Sequence, residues 1–144
     1  MPIRDCPFSF FNDGICHPVL PIKIINPHTG KSCRTFGIVD TGADECAIPA
    51  ALAPLLGHNL QTGETKQINT GNGITAAYSH MTKFEIFHPV TGERLHTVPD
   101  TPIDFMPNPH VVLLGVNSFL SRFILHIDYP QKNFSITTPW KHAG

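Results

Sequence analysis

Apolar and polar residues alternate along many short segments of this chain, and turns rich in glycine, proline and asparagine separate the segments. Alternation with a period of two is typical of β-strands that bury one face. The sequence therefore predicts strands at residues 19–25, 32–39, 65–70, 74–79, 81–88, 94–98, 111–114, 124–129 and 133–137. The 14 prolines and 11 glycines disfavour long helices. Only two short helical segments are predicted, within 50–56 and 116–121, so the predicted fold class is all-β, a closed and barrel-like domain.

Two regions are predicted to lack regular strands. Residues 1–17 contain three breaking residues, Pro2, Pro7 and Gly14, and show little alternation. We therefore expect an N-terminal extension at 1–17, followed by one domain at 18–144. Residues 99–109 contain four prolines and are predicted to form a loop.

One stretch carries the candidate chemistry: residues 36–43, with the sequence Phe-Gly-Ile-Val-Asp-Thr-Gly-Ala. Ile38 and Val39 are apolar and β-branched, so they predict the end of a buried strand that delivers Asp40 to a turn. A carboxylate at the mouth of a buried strand loses solvation and needs a partner. For Asp-Thr-Gly alone, an ordinary Asx-type turn on a surface loop is the alternative interpretation.

A second segment favours a functional interpretation of the first. Residues 111–115 have the sequence Val-Val-Leu-Leu-Gly, and the glycine lies 75 residues after Asp40. Phe-Leu-Ser-Arg-Phe at 119–123 and Ile-Asp-Tyr at 127–129 follow it. Together, over roughly residues 18–138, these segments resemble the single-domain, retropepsin-like aspartic proteases. The resemblance implies a retropepsin (acid protease) fold with a flap hairpin and one or two short helices.

The same resemblance implies that Asp40, Thr41 and Gly42 are the catalytic residues of an aspartic endopeptidase. Peptide hydrolysis of this kind uses two carboxylates that share one proton, so that one acts as base and the other as acid. Because Asp-Thr-Gly occurs once in the chain, the site implies a homodimer with one Asp40 from each protomer. Thr41 would hydrogen-bond across the dimer axis, and Gly42 would let the substrate backbone approach closely.

Substrate contacts are expected on two further segments. Ala43 and Asp44 directly follow the catalytic motif. The turn Gly-Asn-Gly at 71–73 begins 31 residues after Asp40, where the family carries the flap that closes over substrate. An ordinary surface hairpin is the alternative for this turn. The predicted flap contacts are Thr70, Gly71, Asn72, Gly73 and Ile74.

Val116 departs from the family pattern. Many viral relatives place an arginine here, and it pairs with the acid that follows Asp-Thr-Gly-Ala. In this chain that acid is Asp44, so its expected partner is missing. Arg4 and Arg122 are the candidate replacements.

Composition argues against several other classes of protein. The net charge of −1 and the charged fraction of 15% give no basic face for nucleic acid. No apolar run approaches the roughly 18 residues of a membrane helix, so we expect a cytoplasmic protein without a membrane partner. The four cysteines fit no zinc pattern, and the nine histidines include no close pair. Neither a metal nor another cofactor is expected.

The predicted function is therefore a homodimeric aspartic endopeptidase that acts on a polypeptide substrate. A catalytically silent retropepsin-fold domain for dimerisation or peptide binding is the alternative, because the same groove could hold an extended peptide by strand addition. A histidine-based metal hydrolase is the third hypothesis.

Overall fold

The computed structural model describes residues 2–11, 14–60, 64–70, 73–107 and 110–139. Within these ranges the chain forms strands β1 (Pro2–Pro7), β2 (Ser9–Phe10), β3 (Cys16–His17), β4 (Val19–Ile25), β5 (Ser32–Val39), β6 (Ala47–Pro49), β7 (Glu64–Thr70), β8 (Gly73–Phe87), β9 (Arg94–Met106), β10 (Val112–Leu114), β11 (Ile124–Asp128) and β12 (Asn133–Thr137). Short 3₁₀ helices lie at Ala50–Leu52, Pro54–Leu56 and Leu120–Arg122.

Most strands belong to one large sheet that closes on itself. Its neighbours follow the order β4-β5-β10-β6-β9-β8-β7, and β4 also pairs with β8. The result is a ring of hydrogen-bonded strands. A smaller sheet, β1-β12-β11, and the hairpin β2–β3 complete the fold. The predicted all-β class is confirmed.

A single main core joins the large sheet to the smaller one. Ile22 and Ile24 of β4 are buried and alternate with the half-buried Lys23, as the sequence pattern predicts. Phe134 and Ile136 of β12 are fully buried in the same core. Burial of one such side chain contributes roughly 1.5–3 kcal/mol, so the core holds the C-terminal hairpin firmly against the rest of the molecule.

Residues 2–7 pack on this core as well. They form β1, which pairs antiparallel with β12 through Pro2–Thr137 and Cys6–Phe134. Ile3 is fully buried. The sequence analysis assigns these residues to an extension outside the domain, but their pairing makes them one edge of the smaller sheet.

The predicted loop at 99–109 is wrong over residues 99–106, because β9 continues to Met106. Residues 108–109 of this predicted loop lie outside the described residues. The register of β9 against β8 shifts between Thr82 and Phe84, opposite Pro99. Such an irregularity accommodates a proline, which cannot donate to the ladder. The next residues then pair regularly and bury Ile103 and Phe105. The strands predicted at 74–79 and 81–88 are likewise one continuous strand, β8.

The helix predicted at 116–121 is reduced to a series of turns and the 3₁₀ helix at Leu120–Arg122. The amides of Leu120 and Ser121 donate to the carbonyls of Gly115 and Val116, five residues earlier, instead of the four-residue spacing of an α-helix. The predicted helical segment within 50–56 is confirmed as two 3₁₀ helices. Among the described residues, no helix has the length and apolar content needed to cross a membrane.

A pair of histidines packs between the 3₁₀ helices and β8. The rings of His58 and His80 lie 4.6 Å apart, and both contact Phe105 edge-on. Asn26 Nδ2 donates to the Leu56 carbonyl and lies 3.3 Å from His58 Nδ1. Because an amide nitrogen only donates, His58 Nδ1 must accept, and the ring is neutral. Burial lowers the pKa of His58, and the charges of His80 and His28 lower it further.

We expect this histidine to make the fold less stable in acid. Below pH 6.5 the unfolded chain takes up a proton at His58, while the folded chain, with its lowered pKa, does not. Stability should therefore fall as the pH decreases below 6.5, until the pH passes the folded pKa. His58→Phe should flatten this dependence in thermal melts between about pH 7.5 and 5.

His110→Phe is the matched control, because His110 is exposed. His96 keeps its own contribution to the pH dependence of stability in both variants, because burial lowers its pKa too. If the melting temperature of His58→Phe fell with decreasing pH as steeply as that of the wild type, the expected role of His58 would be contradicted.

Candidate active site

The backbone around Asp40 is set by a short strand inserted between two others. β10 runs parallel to β5, with Leu114 opposite Val39, and antiparallel to β6, with Leu113 opposite Ala47. Residues 40–46 therefore leave β5, pass the end of β10 and return as β6. The Asp40 amide donates to the Leu114 carbonyl at 3.1 Å, which fixes the start of this loop.

The Asp40 side chain is half-buried at the carboxyl ends of these two parallel strands. Its Oδ1 accepts a 2.9 Å hydrogen bond from the Gly42 amide, and its carbonyl accepts one from the Ala43 amide at 3.3 Å. The local geometry is thus an Asx-type turn, as the alternative interpretation of the motif expected. This turn aims the carboxylate and leaves it partly open to solvent.

A pocket of about 310 Å³ opens beside Asp40. Its lining combines the loop at 40–46 with residues in or next to β3, β5, β10 and β11: Cys16, His17, Pro18, Ile38, Val39, Asp40, Thr41, Leu113, Ile127 and Tyr129. The sequence analysis missed the contributions of β3 and β11, because only the folded chain brings them to the motif. A larger pocket of about 670 Å³ has no carboxylate among the described residues of its lining, and of these it shares only Ile38 with the first.

Gly115, just after β10, lies directly against the loop at 40–46. A Cβ at this position would overlap the Glu45 carbonyl group and lie 2.8 Å from the Ala43 carbonyl oxygen. The Gly115 amide points at Cys46 Sγ, 3.4 Å away. Burial raises the pKa of the Cys46 thiol to about 11, so it remains a neutral packing group. Only glycine fits this junction.

Asp44 has a different environment from the one that the resemblance suggested. Its side chain is exposed, and neither Arg4 nor Arg122, both within the described ranges, forms an ion pair with it. Its carbonyl accepts a 2.7 Å hydrogen bond from the Asn117 amide. The next residue, Glu45, carries the side-chain contacts instead, and the sequence analysis did not single it out.

The predicted hairpin is present, and its two strands pair from Glu64–Ser79 to Thr70–Gly73. Ile74 near its tip is 69% exposed. Gly71 and Asn72, two of the predicted flap residues, lie outside the described residues.

The first strand of this hairpin, β7, contacts the strands next to the loop at 40–46. Ile68 of β7 and Leu113 of β10 pack against one small cluster formed by Ala47, Ala77 and Met106. Lys66 of β7 also reaches the buried Asp104 of β9, with 3.0 Å between Nζ and Oδ2. Removing either charge would leave the other without this partner, which is costly for the buried carboxylate.

Comparisons with known proteins identify the fold. No protein-family model matches the sequence, and no curated protein matches it significantly. Among solved structures, the chain is similar to a retropepsin-like aspartic protease from Rickettsia conorii, with 23% identity and a TM-score of 0.59 over 93% of this chain and 98% of that one.

The chain is also similar to the EIAV protease, solved in complex with the inhibitor HBY-793. The identity is 20%, the TM-score is 0.46, and the match covers 78% of this chain and 93% of that one. The similarity to the Rickettsia conorii protein shows that this chain has the retropepsin-like fold, which confirms the fold expected from the two sequence segments.

The contact at Gly115 yields a stability prediction. Gly115→Ala should destabilise the protein by about 3 kcal/mol or more, because the added methyl group meets backbone atoms that cannot rotate away. Gly30→Ala is the control: Gly30 has φ of 72°, and a Cβ added there would meet nothing within 4 Å, so only conformational strain of about 1–2 kcal/mol is expected. Urea denaturation measures both, and equal losses would contradict the close approach.

Proposed function

We propose that this protein is an aspartic endopeptidase that works as a homodimer, with Asp40 of each protomer in one shared site. The observation that carries the proposal is the placement of Asp40. It lies half-buried at the carboxyl ends of β5 and β10, in an Asp-Thr-Gly turn, on a retropepsin-like fold. Its backbone contacts hold the carboxylate in one orientation.

The chemistry requires a second carboxylate beside the first. Two carboxyl groups about 3 Å apart cannot both ionise, so they share one proton. The ionised member removes a proton from water, which attacks the peptide carbonyl, and the protonated member supplies a proton during collapse to products. The chain has a single Asp-Thr-Gly, and a second copy of the chain provides the partner.

Thr41 and Gly42 take the roles that the resemblance implies. Both residues are exposed beyond Asp40, so they are accessible to a second protomer or to substrate. In the proposed dimer, the Thr41 hydroxyl bonds across the twofold axis. Gly42 and Ala43 lie along an extended peptide in this proposal, with Asp44 at the outer end of this row.

The second protomer approaches over the surface next to Asp40. Ile127 and Tyr129 share the pocket with Asp40, and Ile124 and Tyr129 are exposed apolar side chains at 55% and 67%. Burial of such side chains favours association. The smaller sheet thereby forms part of the proposed interface.

The hairpin of β7 and β8 serves as the flap in this proposal, with residues from Thr70 to Gly73 and Ile74 over the substrate. Its first strand, β7, is tied to the neighbouring strands through Ile68 and through the Lys66–Asp104 ion pair. The exposed Ile74 supplies an apolar contact to a polypeptide substrate.

Asp40→Asn tests the proposal. The amide keeps the shape of the carboxylate and its acceptor oxygen for the Gly42 amide, but it cannot act as a base. Cleavage of a denatured protein should fall by roughly 10²–10⁴-fold, with an unchanged melting temperature. Asp100→Asn, at an exposed position of β9, is the control and should cleave like the wild type.

Undiminished cleavage by Asp40→Asn would show that the chemistry lies elsewhere. Wild-type protein that binds extended peptides without cutting them would favour the silent peptide-binding domain instead.

A further inference from the structure

Two segments distant in sequence are joined next to the catalytic aspartate. The Val116 amide donates to the Ala43 carbonyl at 2.9 Å, and the Asn117 amide donates to the Asp44 carbonyl at 2.7 Å. These bonds attach the turn after β10 to the loop that begins at Asp40. The position of Asp40 relative to β10 therefore depends on whether this attachment is rigid.

Glu45 adds side-chain bonds at the same junction. Asn117 Nδ2 donates to Glu45 Oε1 at 3.0 Å, and Ser118 Oγ donates to Glu45 Oε2 at 2.7 Å. Each carboxylate oxygen thus has its own donor, and the two donors come from adjacent residues. Hydrogen bonds to an ionised acceptor are shorter and stronger than neutral ones.

The residues next to Glu45 connect its side-chain hydrogen bonds to the loop that begins at Asp40. Cys46 is buried beneath the loop, and Gly115 packs against the Glu45 carbonyl group itself. Packing against Gly115 therefore fixes the Glu45 backbone, while the exposed Glu45 side chain binds the turn after β10. A tilt of residues 43–46 would have to break these contacts together.

We propose that Glu45 is a positioning residue for the catalytic aspartate, acting through its bonds to Asn117 and Ser118. This inference rests on the proposed peptidase function. Val116 stands where many viral relatives have an arginine, and here a carboxylate bound by an amide and a hydroxyl joins the two segments, without an ion pair from Asp44 to Arg4 or Arg122.

Variants at Glu45 separate the bonds from the charge. Glu45→Ala removes both bonds. Glu45→Gln keeps them, because its amide oxygen accepts from Asn117 Nδ2 and its amide nitrogen donates to the Ser118 hydroxyl, which can also accept. Ser118→Ala removes one bond and serves where Glu45→Ala folds poorly. Glu93→Ala, at another exposed glutamate, is the matched control.

Steady-state cleavage of a denatured protein is the first readout. Glu45→Ala should lower kcat by roughly tenfold and leave KM within about twofold, because a misplaced catalytic group affects the transition state more than binding. Glu45→Gln and Glu93→Ala should behave like the wild type, and Ser118→Ala should fall between them. If the role of Glu45 were purely structural, Glu45→Ala would lower the melting temperature without lowering kcat at a constant KM.

Amide hydrogen exchange is the second readout, and it requires no activity. The amides of Val116 and Asn117 should exchange several-fold faster in Glu45→Ala than in the wild type, while the amides of β4 remain unchanged. Glu45→Gln should show wild-type exchange. If the wild type cleaves nothing while these exchange rates follow the expectation, the peptidase proposal fails and the junction itself stands.

The positioning role requires both readouts to change. Faster exchange with unchanged kcat would make the bonds purely structural, and slower turnover with unchanged exchange would place the effect elsewhere. Equal losses in Glu45→Gln and Glu45→Ala would show that the charge matters instead of the bonds. Each of these results overturns the inference.

Discussion

The insertion of β10 between β5 and β6 is the constraint on which the rest of the site depends. The three residues of β10, Val112–Leu114, pair with β5, Leu113 also pairs with β6, and Leu114 is fully buried. The carbonyl of Leu114 then fixes the Asp40 amide. Because the parallel pairing aligns the ends of β5 and β10, the loop at 40–46 and the turn at Gly115 must meet in one place.

That meeting point tolerates very little extra volume. Gly115 lies against the backbone of the loop at 40–46, and a Cβ at Gly37 would lie 2.9 Å from Leu114 Cγ. The two glycines allow the strands and loop to approach more closely than any other residue permits. Backbone hydrogen bonds and the Glu45 side chain then join the loop at 40–46 to the turn after Gly115. Packing and hydrogen bonding thus hold the Asp40 carboxylate before any partner arrives.

The sequence predicted the structure correctly where local residue patterns determine it. Alternation predicted β4 and β5 with their observed ends, and the Asp-Thr-Gly motif correctly placed Asp40 in a turn after a buried strand. It failed at β9, because Pro99 suggested a loop and only the pairing with β8 reveals that a register shift absorbs it. Local patterns also could not reveal Glu45, whose partners lie 72 and 73 residues away. The same reason explains why His17 and Tyr129 were not associated with Asp40.

A subunit-mixing experiment tests the central claim, a site shared by two copies of Asp40, most directly. Wild-type and Asp40→Asn chains are unfolded together, refolded at varying ratios and assayed for cleavage. If each site needs Asp40 from both protomers, mixed dimers are inactive, and activity follows the square of the wild-type fraction. An equal mixture should then retain one quarter of the wild-type activity. Activity proportional to the wild-type fraction, with one half remaining in the equal mixture, would contradict the shared dyad.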